Sequence, residues 1–151
     1  MKKVVTIVPK FDSSGPVNVA QCIALNPNCL VSICTWKEFI LKLVFKRESF
    51  DVVHSHCLIP DFINYFCKAI GLSKHVAVTT MHNTMYSDLR YEYGAAKAII
   101  LSKLWLNIVK RFNVVFVLNT IAEQYYSDHG VKNVRKIHNI SIGKEQDPIN
   151  V

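Results

Sequence analysis

Six short runs of apolar and β-branched residues recur along the chain, and stretches with helical spacing separate them. The first run is "KKVVTIVP" (2–9), followed by a short helix over "PVNVAQCIAL" (16–25). "NCLVSICT" (28–35) is the second strand, and "WKEFILKLVFKRES" (36–49) carries apolar residues at helical spacing. "FDVVHSH" (50–56) and "KHVAVTTM" (74–81) are the third and fourth strands, with a helix over 60–71 between them that Gly71 closes. A loop is expected after residue 81, then a long amphipathic helix from Gly94 to Phe112. "NVVFVLN" (113–119) and "NVRKIHN" (133–139) complete the strands. The helix over 120–130 between them reads as capped by Thr120, with Glu123 completing a capping box. Strands that are near-continuously apolar are buried on both faces, and connections of a dozen or more residues suit parallel pairing. The pattern predicts an α/β fold: one doubly wound, Rossmann-like parallel sheet of about six strands with helices on both faces, as a single domain.

A chain of 151 residues that is 50% hydrophobic and 19% charged can bury a sizeable core. Its apolar runs are too short for a membrane-spanning helix. "MKKVVTIVPK" imitates a secretory signal only at its first residues, because Pro9 and Lys10 cut the apolar run early. The expected location is cytoplasmic. The five cysteines are odd in number and form no CxxC, which fits reduced thiols. The formal charge of +7 suits an anionic ligand, a nucleic acid or an acidic lipid surface. No nucleic-acid recognition motif accompanies it, so no nucleic-acid partner is expected.

Ligands of open parallel sheets bind at the carboxyl ends of the strands. His56 and His82 fall at such ends, and His138 at a third. His54 lies two residues before His56, on the same face of the strand, and reads as a core histidine. The H-x-H spacing, with His82 or Cys57 as a third ligand, resembles a zinc set. Without a neighbouring carboxylate it is read as no metal site. Asn83 and Asn119 suit the crevice, or a turn or cap. "FDSSGPVN" places Gly15 at a helix N-terminus, where free N–H groups suit an anion. It is neither GxGxxG nor a P-loop, and no acidic residue closes the second strand, which argues against a dinucleotide cofactor. No cofactor is expected. The helix 95–112 spreads Lys97, Lys103, Asn107, Lys110 and Arg111 along one side. One reading is a solvated basic face; the other is a Trp-bearing surface resting on anionic lipid at the inner membrane face.

"DVVHSHCLIPDF" (51–62), "VTTMHN" (78–83), "VFVLNTIAEQYYSDHGV" (115–131) and "VRKIHNI" (134–140) resemble, in order and spacing, the N-terminal half of glycosyltransferase family 4. The resemblance implies a GT-B enzyme with two Rossmann-like domains facing a cleft. It implies retaining transfer of a sugar from a nucleotide-sugar to a glycan or lipid-linked acceptor, without a metal, as in polysaccharide biosynthesis. It makes His82 the catalytic-cleft residue that reaches the donor sugar. Ser14 and Gly15 become the loop that approaches the donor phosphates. His56, Asn83, Tyr86 and Asn119, with the 84–93 loop, would line the cleft on the acceptor side. The loop reads "SSG" where the family usually has two adjacent glycines, with Ser14 at one of those places. By the same resemblance, 1–140 is the acceptor-side domain and 141–151 begins a connection. The donor-binding domain, with its E-x7-E pair, is absent from the 151 residues, so the lone chain is expected to be inactive. The alternative is a non-catalytic module that docks on a membrane or on a partner carrying the donor half.

Overall fold

The expected alternation closes into one parallel sheet in the computed structural model, which describes residues 1–12, 14–25 and 27–137. In chain order the elements are β1 (Lys2–Val8), α1 (Gly15–Ala24), β2 (Cys29–Thr35), α2 (Trp36–Val44), β3 (Val52–His56) and α3 (Leu58–Ala69). They continue with β4 (Val76–Met81), α4 (Met85–Tyr93), α5 (Ala95–Val109), β5 (Val114–Val117), α6 (Thr120–Asp128) and β6 (Val134–Lys136). His138, Asn139 and the stretch 141–151 lie outside the described residues. Among the described residues no helix is long and apolar enough to cross a membrane.

The strands lie in the order β2-β1-β3-β4-β5-β6, all parallel. Only the β1-to-β2 step runs in the opposite direction. Right-handed crossovers therefore put α1 on one face and the later helices on the other. The packing agrees with this. Val8 faces Val17 and Ala20 of α1, whereas Val5 and Ile7 face Phe39 and Leu43 of α2. Successive strand residues point to opposite faces, so these are two layers. On the side of α2 a larger cluster joins Ala77, Met81, Val115 and Val117 to Trp105, Val109 and Tyr126. The chain reverses direction across the sheet between β1 and β3, and this switch point opens a crevice at the carboxyl ends of those strands.

Three local expectations are corrected. The expected loop over 82–88 and 84–93 contains a helix, α4. Met85 and Leu89, four residues apart, are both buried and hold one helical face on the core. Gly94, at φ +78°, ends α4 with its N–H on the Arg90 carbonyl and separates it from α5. The cap of α6 is Asn119 rather than Thr120: Asn119 Oδ1 accepts the Ala122 N–H at 2.7 Å, and Thr120 is already helical. A capping box does exist, but on α2, where Thr35 and Glu38 cap one another. Lastly, the basic face of α5 does not bear its Trp, because Trp105 turns inward and is 4% exposed. Asn119→Ala is expected to cost about 1 kcal/mol in urea unfolding, the usual loss for an N-cap. Thr120→Ala should cost less.

Candidate functional site

The crevice holds two cavities, of about 730 Å³ and 310 Å³. Pro16, Cys57, Asp88 and Trp105 line both. The loop after β1 contributes Lys10, Asp12 and Ser14 to the larger one, and α4 contributes Tyr91, Glu92 and Tyr93. Gly15 and His82 line the smaller. The last strand residues therefore meet the N-termini of α1 and α3 where the sequence pattern places a ligand.

Gly15 and His82 come together. A Cβ built on Gly15 would lie 3.7 Å from His82 Nδ1, in ordinary contact. Packing alone would therefore admit alanine there. What the glycine leaves is open space beside the imidazole. Ser14 N–H donates to Asp12 Oδ1 at 3.1 Å, and Asp12 also pairs with Lys10 at 3.1 Å. The hydrogen bonds from Ser14 and Lys10 hold the Asp12 carboxyl below its ordinary range. Ser14 makes no side-chain cap to α1, so Gly15 N–H is among the first-turn donors that no cap takes up.

His82 is half-buried, and burial pushes its pKa down from the ordinary value, so near neutral pH the ring is uncharged. Its Nε2 lies 3.4 Å from His56 Nδ1. His56 is fully buried behind it, and burial, then His54 and His82, push its pKa well down. Its Nε2 has no partner among the described residues. His56 thus sits beneath the crevice wall, in contact with His82 and not with solvent. His54 behaves as the expected core histidine: its Nε2 pairs with Thr80 Oγ1 at 2.8 Å. Among the described residues no three His, Cys, Asp or Glu side chains converge as a metal set would.

The other expected cleft residues divide. Asn83 is at the crevice, where its Nδ2 donates to Asp88 Oδ1 at 3.0 Å and its carbonyl accepts from the buried Tyr126 hydroxyl at 2.9 Å. These two bonds hold the turn that carries His82. Tyr86 packs against the apolar cluster beneath α4 and lines neither cavity. Asn119 caps α6.

Asp88, Asp61, Asn64 and His75 were not singled out by sequence reasoning. Asp88 lines both cavities, and its carboxyl is pushed up mainly by burial. Its signal was its place a few residues after a strand-end histidine, in what proves to be the first turn of α4. Asp61, in the first turn of α3, is fully buried. It accepts the Ser55 hydroxyl at 2.6 Å, the Thr79 hydroxyl at 2.8 Å and the Trp105 indole N–H at 2.7 Å. Those bonds pin Trp105 as a shared wall of the two cavities. Burial pushes Asp61 up to about 7, against the pull of the three donors.

Beside it, Asn64 Nδ2 donates to the Val53 carbonyl and to Ser55 Oγ, each at 3.0 Å. That orientation leaves Asn64 Oδ1 to accept, so His75 Nε2 must carry the proton at their 2.7 Å contact. His75 Nδ1 then accepts from Ser73 Oγ at 3.0 Å. The docking of α3 against β3 and the start of β4 brings these groups together, and no local motif announces them.

The chain matches the family model described as Glycosyltransferase Family 4 over residues 7–141. Two Escherichia coli proteins, both described as O-antigen biosynthesis glycosyltransferase WclY, are each 38% identical to it over 109 residues. The aligned part is 72% of this chain and 29% of each relative, so the chain spans less than a third of the curated relatives it matches.

Proposed function

Because the chain belongs to glycosyltransferase family 4, we propose that it is the acceptor-side domain of a two-domain, GT-B sugar transferase. The full enzyme moves a sugar from a nucleotide-sugar to a glycan or lipid-linked acceptor with retention at the anomeric carbon. It works in the cytoplasm, in polysaccharide biosynthesis, a reading that the relatives' description as O-antigen biosynthesis glycosyltransferases supports. In this reading residues 1–140 form the domain and 141–151 begin the connection to a donor-binding half. The 151-residue chain alone transfers little or no sugar.

The observation that carries this reading is that His82 and the start of α1 line one cavity at the switch point. A departing diphosphate needs N–H donors aimed at its developing charge, and Gly15 offers one. A neutral imidazole held by His56 and the Asn83 turn can orient sugar hydroxyls in the crevice. Asp88, Asn83 and the aromatic side chains of α4 supply polar groups and ring faces for an acceptor.

The test uses the protein that contains both halves. His82→Ala is expected to lower kcat/KM about 30-fold, the loss of one hydrogen bond to a charged or developing-charge group worth ~2 kcal/mol. Gly15→Ala should also lower kcat/KM while changing the chain's own stability by less than about 1 kcal/mol. Unchanged kinetics in both variants would remove the crevice from the reaction. Robust transfer by the 151-residue chain alone would contradict the need for a second half.

A further inference from the structure

An uncharged imidazole carries one proton on one of its two ring nitrogens, and the group bonded to the other nitrogen selects which. For His82 the choice decides what the crevice meets. With the proton on Nδ1, the ring donates into the cavity. With the proton on Nε2, Nδ1 is a bare acceptor. Nδ1 is the nitrogen beside the start of α1: it lies 3.7 Å from the place a Cβ on Gly15 would take. Gly15 and His82 both line the smaller cavity.

The other nitrogen, Nε2, meets His56 Nδ1 at 3.4 Å. Burial pushes both pKa values down, so near neutral pH two uncharged rings share this contact. They can do so in two ways. In the first, His82 Nε2–H donates to His56 Nδ1, and His56 must then carry its own proton on Nε2. That atom is buried and has no partner among the described residues. The arrangement strands an N–H in the interior, and orphaned buried N–H groups are rare because their desolvation is not repaid. In the second, His56 carries its proton on Nδ1 and donates it to His82 Nε2. Only a bare lone pair is left at His56 Nε2, and interiors tolerate an under-used acceptor better than a stranded donor. His82 then keeps its proton on Nδ1.

We infer that His56 is a positioning residue that fixes the tautomer of His82, so that His82 presents an Nδ1–H donor to the smaller cavity. What it meets there is an oxygen that accepts. In the transferase reading, on which this functional step rests, that oxygen belongs to a sugar hydroxyl or to a phosphate. The first-turn N–H groups of α1 ask for the same chemistry, since they too can only donate. The tautomer itself rests on the two rings alone.

Nuclear magnetic resonance tests the tautomer without any transferase activity. The chain is labelled with a nitrogen isotope in its histidines, and long-range proton–nitrogen spectra are recorded near neutral pH. His56 and His82 are each expected to show a protonated Nδ1 and a bare Nε2. A protonated Nε2 on His82 would overturn the proposal, and the wild-type spectrum decides this whether or not any variant folds. In His56→Leu the donor is gone, so the two His82 nitrogen shifts should move toward each other as the tautomers mix. An unchanged His82 pattern in folded His56→Leu would show that His56 does not set it. Sodium phosphate and methyl glucoside are then added separately at high concentration. The one that moves the His82 Nδ1 shift names the oxygen, and no response to either would overturn the placing of Nδ1 toward the ligand.

A kinetic cycle in the protein that contains both halves tests the positioning role. His56→Leu is expected to lower kcat/KM about 10-fold, but less than about 2-fold where His82 is already alanine. Equal losses in the two backgrounds would make His56 a structural residue and overturn that role. A silent His82→Ala beside the expected wild-type tautomer would sink the transferase reading and leave the tautomer assignment standing.

Discussion

Lowering the pH from 7 to 4 is expected to cost the fold roughly 3 kcal/mol or more, read as a falling urea midpoint at constant slope. His54 and His75 are both buried, and burial pushes each down to about 4. An unfolded histidine takes its proton near pH 6.5, so between 6.5 and 4 the unfolded state binds protons that the folded state refuses. Stability is then lost as pH falls through that window. At about 1.4 kcal/mol per pKa unit each of these two groups contributes on the order of 3 kcal/mol.

His56 acts in the same direction. Asp61 acts against it, since its folded pKa is raised to about 7 and the folded state keeps a proton that the unfolded chain releases near 4. Over the same window Asp61 therefore adds roughly 3 kcal/mol on acidification. One carboxyl cannot offset three histidines, so the net slope is a loss. A stability profile that is flat, or that rises from pH 7 to 4, would contradict this balance. In Asp61→Asn the opposing group is gone, and the acid loss should steepen.

The second large effect is on Asp61 itself. Asp61→Ala is expected to destabilise the chain by about 3 kcal/mol at pH 7, against a total of roughly 5–15 kcal/mol for a domain. The substitution leaves the Thr79 hydroxyl and the Trp105 indole N–H without their acceptor in the interior. Each orphaned donor costs about 1–3 kcal/mol. Ser55 is partly spared, because its hydroxyl also reaches the Val78 carbonyl at 3.3 Å. Relief from burying the carboxyl works the other way, which keeps the estimate below the simple sum. Asp61→Asn retains one carbonyl acceptor and should lose less, about 1–2 kcal/mol. A loss under ~1 kcal/mol for Asp61→Ala would mean that the donors find other partners. Trp105 fluorescence separates the outcomes, since an indole released from the carboxyl changes its emission.

Several sites were partly legible in sequence. His82 and Gly15 stand out because each follows a strand, and strand ends gather at one edge of a parallel sheet. The helix α4 was hidden because its tyrosines and charged residues mask the Met85–Leu89 pair. The cap at Asn119 was displaced by one residue because Thr120 and Glu123 also fit a capping box. His56 and His82 looked alike as strand-end imidazoles, yet one is fully buried and the other faces a cavity.

Local periodicity by itself determined that the chain forms six strands with helices between them, in one parallel sheet. Alternation of apolar side chains and the spacing of helical faces are short-range consequences of backbone sterics, so they can be read along the chain. Tertiary structure alone decided the strand order, which polar groups lie beneath the crevice rather than on it, and where each buried donor finds its acceptor. The partners of Asp61 come from positions 55, 79 and 105, on three different elements. Only the register of neighbouring strands and the docking of α3 and α5 bring such groups within hydrogen-bond reach, and no local pattern encodes that distance.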